Sequence, residues 1–148
     1  MYIIYDDFYL KHSNGSSHPE NSNRLAAIKG AIDRWNLKSR IAFRKPRPAA
    51  GKEIEMIHDK DYIQKIKDLS GIGGISYLDP DTAVTEYTYD CSLLAAGGCF
   101  EGLDLIFNSN NKSHKFFAAI RPPGHHAFKN YGTRTGFNMG WSFFRCNN

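Results

Sequence analysis

The chain has 148 residues, 41% of them hydrophobic and 14% aromatic, which is enough apolar material for one domain with a modest core. Its charged fraction of 23% and formal net charge of +4 are ordinary for a soluble protein. No apolar stretch approaches the length of a membrane span, and the opening MYIIYDDFYLKH meets Asp6 and Asp7 without a basic leader, which argues against a secretory signal.

Tyr2 to Tyr5 is a short apolar run closed by two aspartates and reads as a first strand. The polar stretch KHSNGSSHPE at 11 to 20 contains Gly15 and Pro19 and reads as a loop. Asn21, Ser22 and Asn23 offer N-caps for a helix in which Leu25, Ile28, Ala31, Ile32 and Trp35 recur at helical spacing. Ile41 to Phe43 reads as a second strand, closed by Lys45-Pro46-Arg47-Pro48. EIEMIH and DYIQKIKDL read as two helical pieces, with Asp59 capping the second. Residues 70 to 82, SGIGGISYLDPDT, are rich in glycine and proline and read as a loop.

Tyr87 to Phe107 is the longest predicted helix, with Ala95-Ala96-Gly97-Gly98 at its middle. A helix-interior glycine costs roughly 1 kcal/mol relative to alanine, so the pair implies either a close-packed backbone or a break at Gly97. After a polar turn at 108 to 113, Lys115 to Ile120 is short, continuous and apolar, which predicts a strand buried on both faces. Strands alternating with helices predict an α/β domain with a mostly parallel sheet.

Charge is unevenly distributed. Arg24 to Lys52 holds nine Lys/Arg against one acid, Asp33, and no Asp or Glu follows Asp104. The basic segment has no interleaved aromatic surface and no nucleic-acid module, so we read it as a solvated helix face and loop, with nucleic acid a weaker alternative. Cys91, Cys99 and Cys146 form no disulfide framework or zinc ribbon; they read as core or tail residues in a reducing, cytoplasmic setting.

RPPGHHA at 121 to 127 carries the chemistry. It leaves the carboxyl end of the predicted strand, the edge where open α/β sheets bind ligands. Neighbouring strand side chains point to opposite faces, so His125 and His126 can share a site only on irregular backbone. Gly124 permits that turn, and Pro122 and Pro123 fix its approach. Paired imidazoles could divide proton transfer between a nucleophilic water and a leaving group, or ligate a metal. His18 reads as a loop residue, His58 as a helix-terminal charge and His114 as a solvent-facing strand edge.

With its preceding strand and the following Gly136-Phe137, RPPGHHA resembles the zinc-dependent histone deacetylase superfamily, which includes acetylpolyamine amidohydrolases and acetoin-utilisation proteins. HPENSNRL at 18 to 25, IHDKDYIQKI at 57 to 66 and LDPDT at 78 to 82 are similar to further family segments, in the same order. The resemblance implies an arginase/deacetylase-like three-layer α/β fold, a single zinc that polarises the carbonyl and activates water, and hydrolysis of an N-acetyl amide on lysine, a polyamine or another small amine. It implies that His125 and His126 are catalytic, one handling the water and one protonating the leaving amine. It also implies that Phe137 walls the acyl-lysine channel, that Gly136 offers backbone to the substrate, that Asp81 grips substrate from the rim, and that Arg24 faces an internal cavity.

The family takes its zinc ligands from an Asp-x-His pair and a later Asp, and its oxyanion tyrosine lies later still; none has a counterpart here, so no metal ligand is assigned and stable zinc binding is not expected. After Gly136-Phe137 the tail NMGWSFFRCNN departs from the family pattern. Residues 1 to 137 therefore read as the N-terminal portion of a truncated deacetylase-like domain, and 138 to 148 as an atypical tail of the kind a frameshift, premature stop or split gene produces. On this reading the chain is inactive alone. The alternative is a non-catalytic deacetylase-like protein that binds a partner, or a second copy of itself, through an open sheet edge.

Overall fold

A computed structural model of the chain describes residues 1–15, 17–108, 115–124 and 127–132. The first strand, β1 (Tyr2–Ile4), is the centre of a three-stranded parallel sheet. On one side it pairs with β2 (Ala42–Arg44), on the other with β5 (Phe116–Ala118). Ile3 and Ile4 are buried, and complete burial of such a side chain is worth about 1.5–3 kcal/mol. A 3₁₀ turn, Asp7–Lys11, follows β1 and is capped by the Asp6 carboxylate, which accepts from the Phe8 N–H at 2.8 Å.

Three helices precede the middle of the chain: α1 (Asn23–Arg34), α2 (Gly51–Glu55) and α3 (Lys60–Ile72). Ser22 occupies the N-cap of α1 without a capping side-chain bond; Asn21 shapes the entrance instead, its Oδ1 accepting from the Asn23 N–H at 3.0 Å. Asp59 occupies the N-cap of α3, but its carboxylate is drawn to the Lys129 ammonium at 3.1 Å rather than to the helix N–H groups.

Residues 70 to 82 are not a loop. Ile75–Asp79 forms β3 and Thr82–Thr85 forms β4, an antiparallel hairpin turning at Pro80-Asp81. The run Thr82-Ala83-Val84-Thr85, with three β-branched residues, is completely buried, and this burial outweighs the glycine- and proline-rich flanks. The strand at 115 to 120 is also shorter than its apolar run, and Phe117 is 45% exposed, so β5 is not buried on both faces.

The longest helix, α4 (Thr88–Phe107), runs unbroken through the glycine pair and packs on β1 and β5. A Cβ at Gly97 would overlap the Arg47 carbonyl oxygen and stand 2.8 Å from the Ala49 nitrogen. The close-packed backbone implied by Gly97-Gly98 is therefore the Pro46–Ala49 connection, which is tied down further by Ala49 N–H donating to the Leu93 carbonyl at 2.9 Å. One core cluster joins Ile3, Tyr9, Leu25, Ile32, Ala95 and Ala119 between α1, the sheet and α4. A second joins Ile54, Tyr62, Ile66 and Ala96 between α2, α3 and α4. Among the described residues, no helix is long and apolar enough to cross a membrane.

Candidate functional site

The site grows from the carboxyl ends of β1 and β5. Ala119 N–H donates to the Ile4 carbonyl at 3.0 Å, extending the strand pairing to the edge of RPPG. The chain then turns through a cis Arg121–Pro122 bond to Gly124, whose φ of +61° is left-handed backbone that favours glycine. Ala127 N–H closes the turn onto the Gly124 carbonyl at 3.0 Å. His125 and His126, which lie between these two anchors, fall outside the described residues, as do Gly136, Phe137, His114, Cys146 and the boundary between 137 and 138.

Arg121 is the keystone of the turn. Its side chain is buried and forms a two-pronged pair with the equally buried Glu20: Nε to Oε1 at 2.6 Å and Nη2 to Oε2 at 2.8 Å. Nη1 donates to the His12 carbonyl at 2.8 Å and, at a longer 3.4 Å, to the Tyr9 carbonyl; Nη2 also reaches the Glu20 carbonyl at 3.5 Å. Glu20 takes a further bond from the Asn14 amide at 2.8 Å. Two buried charges are tolerated here because each is paired and their remaining capacity is filled. The HPE segment and the RPPG turn are thus one unit.

Sequence reasoning quoted both segments and assigned Glu20 and Arg121 no role. The available signal was charge: Glu20 is the only acid between Asp7 and Asp33, and Arg121 sits alone between an apolar strand and two prolines.

Behind this pair lies buried His12, whose Nδ1 shares a hydrogen bond with the Thr88 hydroxyl at 3.0 Å. Burial, reinforced by the Arg121 charge, pushes its pKa down to about 4, so His12 is neutral near pH 7. Thr88 also accepts from the Thr85 N–H at 2.8 Å, which joins the end of β4 and the start of α4 to the same network.

The remaining sequence candidates fall at different distances from this centre. Arg24 is exposed on the first turn of α1 and lines a pocket of about 150 Å³ with Glu20, Ile28, Ala119, Ile120 and Pro123. Asp81 is at the hairpin tip, half exposed, and its Oδ1 is 2.9 Å from the His18 Nε2. His18 is indeed in a loop, but it is engaged across 63 residues of sequence.

His58 is not an exposed helix-terminal charge. It is buried, and its Nδ1 donates to the Phe128 carbonyl at 2.7 Å, holding the segment that follows the histidine pair. Asp59 N–H adds a bond to the Lys129 carbonyl at 2.9 Å. Cys91 and Cys99 are buried free thiols, pushed up by burial to about 12 and about 11. Among the described residues, no three His, Cys, Asp or Glu side chains converge on a common point that could hold a metal ion. On their own, the described residues therefore do not fit the zinc that the family resemblance implies.

A family model described as the histone deacetylase domain matches residues 18–143. An uncharacterized protein of Synechocystis is 35% identical over 133 residues, covering 88% of this chain and 42% of the relative. A probable deacetylase of Archaeoglobus fulgidus is 33% identical over 127 residues, covering 84% of this chain and 34% of the relative. The crystal structure of the HDA15 HD domain superposes with a TM-score of 0.86 at 27% identity, covering 96% of this chain and 42% of that one. The chain thus spans 34% to 42% of the length of these proteins. With the matched segment running from the HPE loop through the RPPG turn, the chain belongs to the histone deacetylase family, on that family's α/β fold.

Proposed function

We infer that the chain contributes the tandem-histidine part of a zinc-dependent amidohydrolase site that cleaves the N-acetyl amide of lysine or a related amine. The observation that supports this best is the buried Glu20–Arg121 pair, which fixes the RPPG turn at the carboxyl edge of the sheet. In this reading one of His125 and His126 takes a proton from the attacking water. The other returns a proton to the nitrogen as the C–N bond breaks, releasing acetate and the free amine. Phe137 and Gly136 line the path of the acylated stem, and Asp81 holds the substrate at the rim. In this reading the chain supplies the tandem histidines and no carboxylate from beyond Asp104, and by itself it does not turn the amide over. Free, buried Cys91 and Cys99 support a reducing, cytoplasmic setting.

Two measurements test this. An N-acetyl-lysine peptide perturbs the imidazole signals of His125 and His126 in NMR, and the unacetylated peptide does not; equal response to both peptides sinks the substrate assignment. A fluorogenic acetyl-lysine reporter shows no turnover with the isolated chain and added zinc. Turnover abolished by chelator and by His126→Ala overturns the inactivity.

A second reading is a non-catalytic role through self-association. Among the described residues β5 has β1 as its single strand neighbour, and Phe117 is exposed on it. An open apolar strand favours pairing with another chain. Sedimentation velocity would show a concentration-dependent dimer that Phe117→Lys abolishes; a monomer at all concentrations removes this reading.

A further inference from the structure

We propose that His18 is a positioning residue for Asp81, acting as a clasp that holds the β3–β4 hairpin tip against the HPE–RPPG unit. The proposal rests on the reading above for what Asp81 faces, and on geometry for the clasp itself. His18 Nε2 lies 2.9 Å from Asp81 Oδ1. On the other side of the ring, Nδ1 is 3.1 Å from the Glu20 N–H nitrogen and 3.2 Å from the Glu20 carbonyl oxygen. The His18 carbonyl accepts from the Asn21 amide at 2.7 Å, and the His18 N–H donates to the Gly15 carbonyl at 3.3 Å, so the backbone beneath the ring is held too.

Asp81 is shaped from its own side. Asp79 Oδ1 accepts from the Asp81 N–H at 2.8 Å, and Asp79 Oδ2 accepts from the buried Thr82 hydroxyl at 2.8 Å. The tip is therefore fixed at its backbone by Asp79 and at its carboxylate by His18. A connected path runs from Asp81 through His18 and Glu20 to Arg121 and the turn that carries the histidine pair.

Proton accounting makes the clasp independent of the charge of His18. An ionised carboxylate can only accept, so Nε2 must carry a hydrogen. In the neutral ring Nδ1 then accepts from the Glu20 N–H. In the cationic ring Nδ1 donates to the Glu20 carbonyl, and the Nε2–H bond to Asp81 stays in place. Among the described residues, the ionisable groups near His18 include Asp81 at the hairpin tip, Glu20, which is paired with Arg121, and His12. With Oδ1 occupied and the side chain half exposed, Asp81 presents its other oxygen to an N–H of a ligand at the rim.

The test uses the whole chain. Long-range proton–nitrogen NMR of His18 should show a slowly exchanging Nε2–H. Asp81→Ala should abolish that signal, and Asp81→Asn, whose carbonyl oxygen still accepts, should keep it. An N-acetyl-lysine peptide should bind about tenfold more weakly to His18→Ala, in line with loss of one charge-assisted bond. His18→Gln, which can donate from a similar position, should restore most of that affinity. In an Asp81→Ala background, His18→Ala should have no further effect. Peptide binding without the Nε2–H signal, or affinity unchanged in His18→Ala, overturns the clasp. A wild-type chain that shows the signal and binds no peptide overturns the functional reading, and the positioning role falls with it.

Discussion

Arg121 and Glu20, separated by 101 residues, meet in a fully buried two-pronged ion pair with contacts of 2.6 and 2.8 Å. The pair joins the loop before α1 to the turn after β5. Removing one partner strands a buried charge, which costs about 3–5 kcal/mol. Glu20→Ala should therefore lower the urea midpoint sharply or leave the chain unfolded. Replacing both, as Glu20→Gln with Arg121→Met, removes the stranded charge and should recover much of the loss. A double variant no more stable than the worse single variant would show that the pair is needed for more than charge balance.

The crossing at Gly97 makes a separate stability prediction. A methyl group there would overlap the Arg47 carbonyl, which belongs to backbone and cannot rotate away. Although alanine is the better helix former by about 1 kcal/mol, overpacking typically costs about 1–3 kcal/mol, and a backbone overlap belongs at the upper end. Gly97→Ala should lower the thermal midpoint, whereas Gly71→Ala, where a Cβ would meet nothing within 4 Å, should hold or raise it. Equal midpoints for the two variants would mean that the connection at 46 to 49 moves aside.

These features were not equally legible in the sequence. The helix at 88 to 107 and its close-packed glycines could be read from residues alone, because periodicity and helix-interior glycine are local signals. So could the parallel character of the main sheet, which follows from strands alternating with helices, although which strands are neighbours could not. The hairpin at 75 to 85 could not, because its strands are short and the neighbouring glycines and proline dominate composition. His58 was misread for a related reason. Its burial is imposed by Phe128, 70 residues away, and helix-end chemistry carries no trace of such a partner. The Glu20–Arg121 pair is likewise a tertiary fact, since each residue alone resembles an ordinary loop charge.

The hairpin turn depends on Asp79. Its carboxylate serves the Asp81 N–H and the buried Thr82 hydroxyl at once. Asp79→Ala leaves that hydroxyl without its acceptor and should cost about 1–3 kcal/mol. Asp79→Asn retains one acceptor oxygen and should cost less. Hydrogen exchange at the Asp81 and Thr82 amides checks this locally: faster exchange in Asp79→Ala, with α4 amides little changed relative to global stability, locates the loss at the turn. Unchanged exchange at both amides would show that strand pairing alone holds it.

His12 links stability to pH. Its folded pKa of about 4 lies below the ordinary histidine value of 6.5, chiefly because of burial. Between those values the unfolded chain binds a proton that the folded chain refuses, so stability rises with pH across this window. The contribution is fully present above about pH 6.5 and is lost as pH falls toward 4, with an upper limit of about 3 kcal/mol. Glu53, held down to about 2 mainly by its bond to Arg47, loses its stabilising contribution at lower pH, as the solution falls below the ordinary carboxylate value of 4.5. The interval from pH 6.5 to 4.5 therefore separates histidine from that carboxylate. In His12→Asn the amide can stand in for Nδ1 toward Thr88 without a titrating ring, so urea midpoints should fall less steeply across this interval than in the unsubstituted chain. Parallel midpoint curves for the two proteins would assign the acid sensitivity to another group and show that protonated His12 is accommodated in the fold.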